Sequence, residues 1–123
     1  MEYNIISIRP FIGSKDFNQS RSFYQEIGFT EISITPNMSL FQNKTVGFYL
    51  QDAYVKDWLE NTMLFLEVED LDQVYRDLLT LDLKAKYPDT KLVPIRVEDW
   101  GRECFLIDPA GNLLHFGSFY KTV

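Results

Sequence analysis

Along residues 3–12 apolar side chains first alternate with polar ones and then run together (Ile5, Ile6, Ile8, Phe11, Ile12), the pattern of a β-strand. Pro10 lies inside it. Proline gives no N–H to a ladder, so it belongs on an edge, at a bulge or where a strand leaves one sheet for another, and Pro10 is a candidate hinge. Gly13 and Ser14 break the strand. Asp16 with Gln19 three positions on makes a capping-box-like start. Phe17, Phe23, Tyr24 and Ile27 then share one face at helical spacing, and Gly28 supplies the residue that commonly ends a helix. Residues 29–35, 38–42 and 45–51 read as three short strands divided by Pro36–Asn37 and Asn43–Lys44 turns. Residues 52–61 are polar with Tyr54, Val55, Trp58 and Leu59 set into them, a connecting loop or a single helical turn.

The pattern then restarts. Residues 63–68 read as a strand, Asp70 caps a second helix with Gln73 again three residues later, and Leu71, Val74, Tyr75, Leu78 and Leu79 form its apolar stripe. From Asp16 to Asp70 the offset is 54 residues, and at that spacing Phe17 falls over Leu71, Tyr24 over Leu78, Ile27 over Leu81 and Phe29 over Leu83. After a strand at 91–97 comes a hairpin, with apolar runs 104–107 and 113–116 around the turn formers Asp108, Pro109, Ala110, Gly111 and Asn112. The order β, α, β, β, β occurs twice, an α+β chain for which internal duplication is the simplest reading. A sheet covered on one face by its own helix leaves the other bare, so the two units are expected to turn their bare faces into a shared concave cleft. Alternation puts His115 with Leu113 and Gly117, opposite to Leu114 and Phe116, and Arg9 is expected opposite Met63 across the pseudo-dyad.

A length of 123 residues suits one domain with a sizeable core and excludes a second of full size. With 12 basic and 18 acidic residues the net charge is −6, which argues against nucleic acid as partner and mildly favours a neutral or cationic one, beside its plain effect on solubility. One cysteine makes no internal disulfide, and the N-terminus lacks a basic region followed by a long apolar run, so the expectation is a cytoplasmic protein without a membrane partner.

The hairpin region carries the sole histidine, His115, the sole cysteine, Cys104, and one of two tryptophans, Trp100. Trp100 follows Glu98 and Asp99 and precedes a glycine, so it is either a stacking platform or a packed aromatic. His115 is either a satisfied polar residue or, if a carboxylate such as Glu103 orients its ring, a base. Cys104 reads as a small buried hydrophobe. Arg9 pairs either with an anionic ligand or with a neighbouring Glu. The Phe41, Phe48 and Tyr49 group reads as partly core with one face on the cleft, and Trp58 is placed to cover its mouth.

Three segments, SKDFNQSRSFYQEIGF, VEDLDQVY and above all WGRECFLIDPAGNLLHF, resemble the vicinal oxygen chelate superfamily of glyoxalases, extradiol dioxygenases and drug-binding proteins. Within it they are most similar to the bleomycin resistance proteins, over residues 8 to 116. The resemblance implies a single domain of two βαβββ modules forming a concave sheet, about 1–60 and 61–123. Catalytic members hold a divalent metal with His and Glu from the first and last strands of each unit. The matching positions here are Arg9, Met63, a site near Gln51, and His115. Guanidinium has no lone pair to give, a thioether is soft and an amide is a poor ligand, so only His115 suits and the expectation is no metal, no cofactor and no catalytic residue. Bleomycin resistance proteins are dimers that exchange an N-terminal strand at a proline matching Pro10. They form two ligand crevices at the interface and stack the drug on a tryptophan matching Trp100. The implied ligand-binding set is Trp100, Met38, Phe41, Tyr49, Gln51, Arg9, Met63, Glu103 and His115. Met38 stands where those proteins carry an aromatic, Ile32 where they carry an acid, and Arg9 adds a positive charge. The expected function is metal-free sequestration of a planar small molecule by a homodimer, a bleomycin-like glycopeptide antibiotic among the candidates. The alternative is a metal-dependent lyase, isomerase or dioxygenase using His115 with a carboxylate such as Glu103. A third reading is a structural or regulatory dimer whose cleft its own side chains fill.

Overall fold

A computed structural model describes residues 1–121. Its elements are β1 (Phe11–Ile12), α1 (Phe17–Glu26), β2 (Thr30–Thr35), β3 (Met38–Asn43), β4 (Val46–Gln51), α2 (Lys56–Leu59), β5 (Met63–Glu67), α3 (Leu71–Thr80), α4 (Leu83–Lys86), β6 (Lys91–Val97), β7 (Gly101–Ile107) and β8 (Leu113–Phe119). They make two four-stranded sheets, ordered β1-β4-β3-β2 and β5-β8-β7-β6, so each module runs its first strand parallel to its fourth and the rest antiparallel. The expected βαβββ order is present in both. Both long helices open on the same bond, Gln19 N donating to Asp16 Oδ1 and Gln73 N to Asp70 Oδ1, each at 3.1 Å.

The helix-side faces of the two sheets share one core, with Phe41, Phe48 and Leu50 from the first sheet and Cys104, Leu106, Leu114 and Phe116 from the second, around Phe23, Tyr24, Leu71 and Leu78. A buried polar pin joins the modules. Asp108 accepts at Oδ1 from the N–H groups of Ala110 and Asn112, and at Oδ2 from the Tyr24 hydroxyl at 2.6 Å and the Asn112 amide at 2.8 Å. The same amide donates to Gly13 O at 3.0 Å, and Gly111, at φ +101°, closes the turn.

Two expectations need correction. The strand expected over residues 3–12 is present only as Phe11–Ile12, and Tyr3, Ile5, Ile6 and Ile8 stand exposed, Ile6 at 98%. The register Phe11↔Tyr49 explains this, because β4 begins at Val46 and offers no neighbour to residues before Ile8. The 54-residue offset also fails beyond the helices: Leu83 starts the helical turn α4 instead of matching the strand entry at Phe29. The first-sheet counterpart of His115 is Tyr49, two residues before Gln51, paired with Phe11 as His115 is with Phe65.

Candidate functional site

On the second sheet, alternation turns Leu114 and Phe116 into the core and His115 outward, and the ladder fixes its neighbours on the open face. Phe65 of β5 and Phe105 of β7 are both in register with His115, giving a row across three strands. The Phe65 and His115 rings lie 27° from parallel with centroids 6.3 Å apart, and Phe105 meets His115 edge-on at 4.8 Å. Phe65 is the centre of the group. Its ring lies on Gly117, where an added Cβ would strike Cζ and sit 2.8 Å from Cε2. It also touches Trp100 and Phe119, each at 5.6 Å, while those two rings stand 5.0 Å apart. Trp100 is held by its own backbone, its carbonyl accepting from Tyr120 N at 3.0 Å. Phe65 keeps 46% of its surface exposed, so this cluster of mutually tilted rings presents an apolar platform instead of closing on itself.

Beside the platform, His115 Nδ1 and Glu103 Oε1 are 2.9 Å apart, both side chains largely buried. The carboxylate fixes the ring orientation and leaves Nε2 for a ligand contact. Arg96 lies over the Phe105 ring at 5.5 Å and pairs with Glu98 at 3.4 Å. Cys104, one residue from Glu103, points into the core, and burial pushes its thiol up to about 11, which removes it as a nucleophile at neutral pH.

The open face of the first sheet carries Arg9, Phe11, Met38, Leu40, Tyr49 and Gln51, with Met38↔Gln51 and Leu40↔Tyr49 in register. Phe11 stacks on Tyr49 at 5.1 Å and 27°, and Arg9 donates to the Tyr49 hydroxyl at 3.2 Å. Ile32, opposite Leu40, is half-exposed on the same face.

Eight of the nine residues expected at the site therefore lie on open faces, but in two groups: Trp100, Met63, Glu103 and His115 on one sheet, Arg9, Met38, Tyr49 and Gln51 on the other. Phe41 does not belong with them. It is fully buried on the helix side against Tyr24 and Phe48, because its register with Phe48 gives it the parity of the core. Among the described residues no hydrogen bond, ion pair or ring contact joins the two open faces, and Met63, expected opposite Arg9, is 62% exposed. Phe65, Phe105, Phe119 and Phe11 were missed because apolar strand residues read as core. The parity argument that placed His115 outward, applied to β5 through its parallel partner β8, identifies Phe65.

A groove of about 820 Å³ lies elsewhere, between the modules, lined by Pro10, Phe29, Val46, Leu66, Leu81 and Phe116 among others. It borders the edge of β4 at Val46 and Gly47, which has no β1 partner, and its mostly apolar lining also includes Glu26, Glu67 and Asp77.

No family model and no curated protein sequence matches the chain. Solved structures do. The bleomycin-binding protein of Streptomyces verticillus, complexed with copper(II)-bleomycin, superposes with a TM-score of 0.80 at 21% identity over 95% of this chain and 98% of that one. The fold is that of the bleomycin-binding proteins. A bleomycin resistance determinant encoded on the transposon Tn5 gives a TM-score of 0.78 at 20% identity over 94% and 98% of the two chains. A fosfomycin resistance protein from Listeria monocytogenes, complexed with manganese(II) and sulfate, gives 0.70 at 16% identity over 96% and 92%.

This fold holds a divalent metal in that last structure, and the residues here do not fit one. Among the described residues no three His, Cys, Asp or Glu side chains are grouped to ligate an ion. His115 and Glu103 bind each other, while Arg9, Met63 and Tyr49 occupy the remaining first- and last-strand positions. No helix among the described residues is long and apolar enough to cross a membrane.

Proposed function

We propose that this protein binds and sequesters a planar aromatic small molecule, as a homodimer acting in the cytoplasm. The observation that carries the proposal is the half-exposed Phe65 ring flanked by Trp100, Phe119 and His115, on the fold of the bleomycin-binding proteins. A flat guest stacked on such a ring gains on the order of 1–3 kcal/mol per aromatic partner. His115, held by Glu103, adds one directional hydrogen bond. The ligand set is Phe65, Trp100, Glu103, His115 and Met63 on one face, with Arg9, Met38, Tyr49 and Gln51 on the other. A metal-dependent lyase, isomerase or dioxygenase would need a third donor beside His115 and Glu103, and none is grouped with them among the described residues.

Three features support the dimer. Both sheets leave half-exposed apolar faces, the arm of residues 1–8 exposes Tyr3, Ile5, Ile6 and Ile8, and the apolar groove beside the open β4 edge offers such an arm a strand to pair with. Pro10 sits where the arm leaves β1, so exchange between copies at this hinge is part of the proposal. Each copy then completes the other's site, bringing two otherwise separate faces into one crevice.

Tryptophan fluorescence tests the reading. In a Trp58→Phe background, which removes the second, 71% exposed tryptophan, titration with naphthalene-class aromatics and with copper(II)-bleomycin is expected to quench Trp100 saturably for at least one of them. Phe65→Ala should weaken that ligand about tenfold. Absence of saturable quenching across the series, or affinity indifferent to Phe65, removes the proposal.

A further inference from the structure

We infer that the ligand carries an anionic group, a carboxylate or like oxyanion, taken up by Arg9; the inference rests on reading the open faces as a ligand surface. Four of the chain's five arginines are neutralised or tied down by their own module. Arg21 is held by Glu31 at 2.6 Å, Arg96 by Glu98 at 3.4 Å and Arg102 by Asp72 at 2.6 Å, while Arg76 donates to Gln73 at 3.0 Å. Arg9 differs. Its hydrogen bond is to a neutral phenol, Tyr49, over whose ring the guanidinium sits at 5.8 Å. Its Nε is buried without a hydrogen-bond partner among the described residues, and no carboxylate pairs with it.

In a chain with 18 acidic residues, carboxylates to pair with are not scarce, so the unpaired position reflects what this face is built around. A half-buried cation without a carboxylate partner is unfavourable in the free protein, and an incoming oxyanion relieves that cost by pairing its charge. The geometry suits one. Tyr49 engages one terminal nitrogen and Nε is buried, leaving the other terminal nitrogen to donate a charge-assisted bond to a carboxylate. The Phe11–Tyr49 stack lies alongside, so a ring with a carboxylate at its edge meets an apolar surface and a charge together. The nearest acid assigned to the site, Glu103, is engaged by His115 on the other sheet. A cationic guest of the bleomycin kind meets Arg9 with like charge and is disfavoured.

The test is calorimetric titration of the 123-residue chain with 2-naphthoate, neutral 2-naphthamide and 2-naphthylmethylammonium, for wild type, Arg9→Gln and Arg9→Lys. Wild type should bind naphthoate about tenfold or more tighter than naphthamide, and the ammonium most weakly, as one charge-assisted pair predicts. Arg9→Gln should bring the carboxylate down to the amide, and Arg9→Lys should recover part of the preference. Equal affinities, a preference for the ammonium, or a carboxylate preference that survives Arg9→Gln overturns the inference while amide binding keeps the ligand-surface reading standing. Failure of all three probes to bind overturns both. A wild type without carboxylate preference whose Arg9→Gln variant falls from dimer to monomer on size exclusion assigns Arg9 to the interface and also overturns it.

Discussion

The contact between Phe65 and Gly117 makes a sharp test of the platform. A methyl at residue 117 would collide with Phe65 Cζ and lie 2.8 Å from Cε2 and 3.3 Å from Cε1, and the three nearest atoms it meets all belong to that ring. Gly117→Ala must therefore push Phe65 off the sheet and out of its contacts with Trp100 and Phe119. Overpacking of this kind costs about 1–3 kcal/mol; because the ring is half-exposed and can swing outward, a value near the lower end, about 1 kcal/mol, is expected. Once Phe65 is cut to Ala the space is empty. There the same methyl should cost nothing, or stabilise by up to about 0.5–1 kcal/mol, since glycine inside a strand is itself unfavourable. A double-mutant cycle by urea denaturation should thus give a coupling of about 1 kcal/mol or more between positions 65 and 117. Ligand affinity should fall by a similar factor in Gly117→Ala and Phe65→Ala, since both remove the same ring from the platform. If Gly117→Ala costs the same in both backgrounds, the ring does not lie on residue 117 and the platform is wrongly drawn.

Tyr24→Phe removes the hydroxyl that bonds Asp108 at 2.6 Å across the module junction and leaves a buried carboxylate one donor short, so a loss of about 1.5–3 kcal/mol is expected in chemical denaturation; a change below about 0.5 kcal/mol would show that the pin does not couple the modules. Glu31, which accepts from Arg21, Ser39 and Gln25, is held below its ordinary pKa of 4.5, chiefly by the Arg21 bond. A carboxyl depressed in the folded state stabilises above 4.5 and loses that contribution as pH falls through the folded value. Arg21→Gln should therefore cost on the order of 1 kcal/mol at pH 7, and the gap from wild type should close below pH 4.5; a gap constant with pH contradicts the pairing.

Much of the fold was legible locally. The Asp-x-x-Gln starts, the Asp108–Asn112 turn and strand parity act over a few residues, and the structure realises each as the bond or orientation the chemistry requires. What was not legible depends on partners far away in the chain. Ile5, Ile6 and Ile8 alternate as a strand should, yet within one copy no neighbouring strand receives them. Phe41 and Met38 are equally plausible on either face until the register with β4 gives Phe41 the core and Met38 the open side. The disposition of the modules rests on contacts such as Tyr24–Asp108, separated by 84 residues, which no local pattern announces. Phe65 was overlooked for a simpler reason: a phenylalanine in a strand carries no reactive group, and only its exposure marks it.

The central claim is that the open face around Phe65, and not the groove between the modules, takes the guest. Amide and side-chain NMR shifts during titration with 2-naphthoate distinguish the two in one experiment. The account predicts shifts concentrated at the Trp100 indole N–H, Phe65, His115, Gly117 and Phe119 of one sheet, together with Arg9 and Tyr49 of the other. Shifts gathered instead at Phe29, Val46, Leu66 and Leu81, with Trp100 and His115 unmoved, would contradict it.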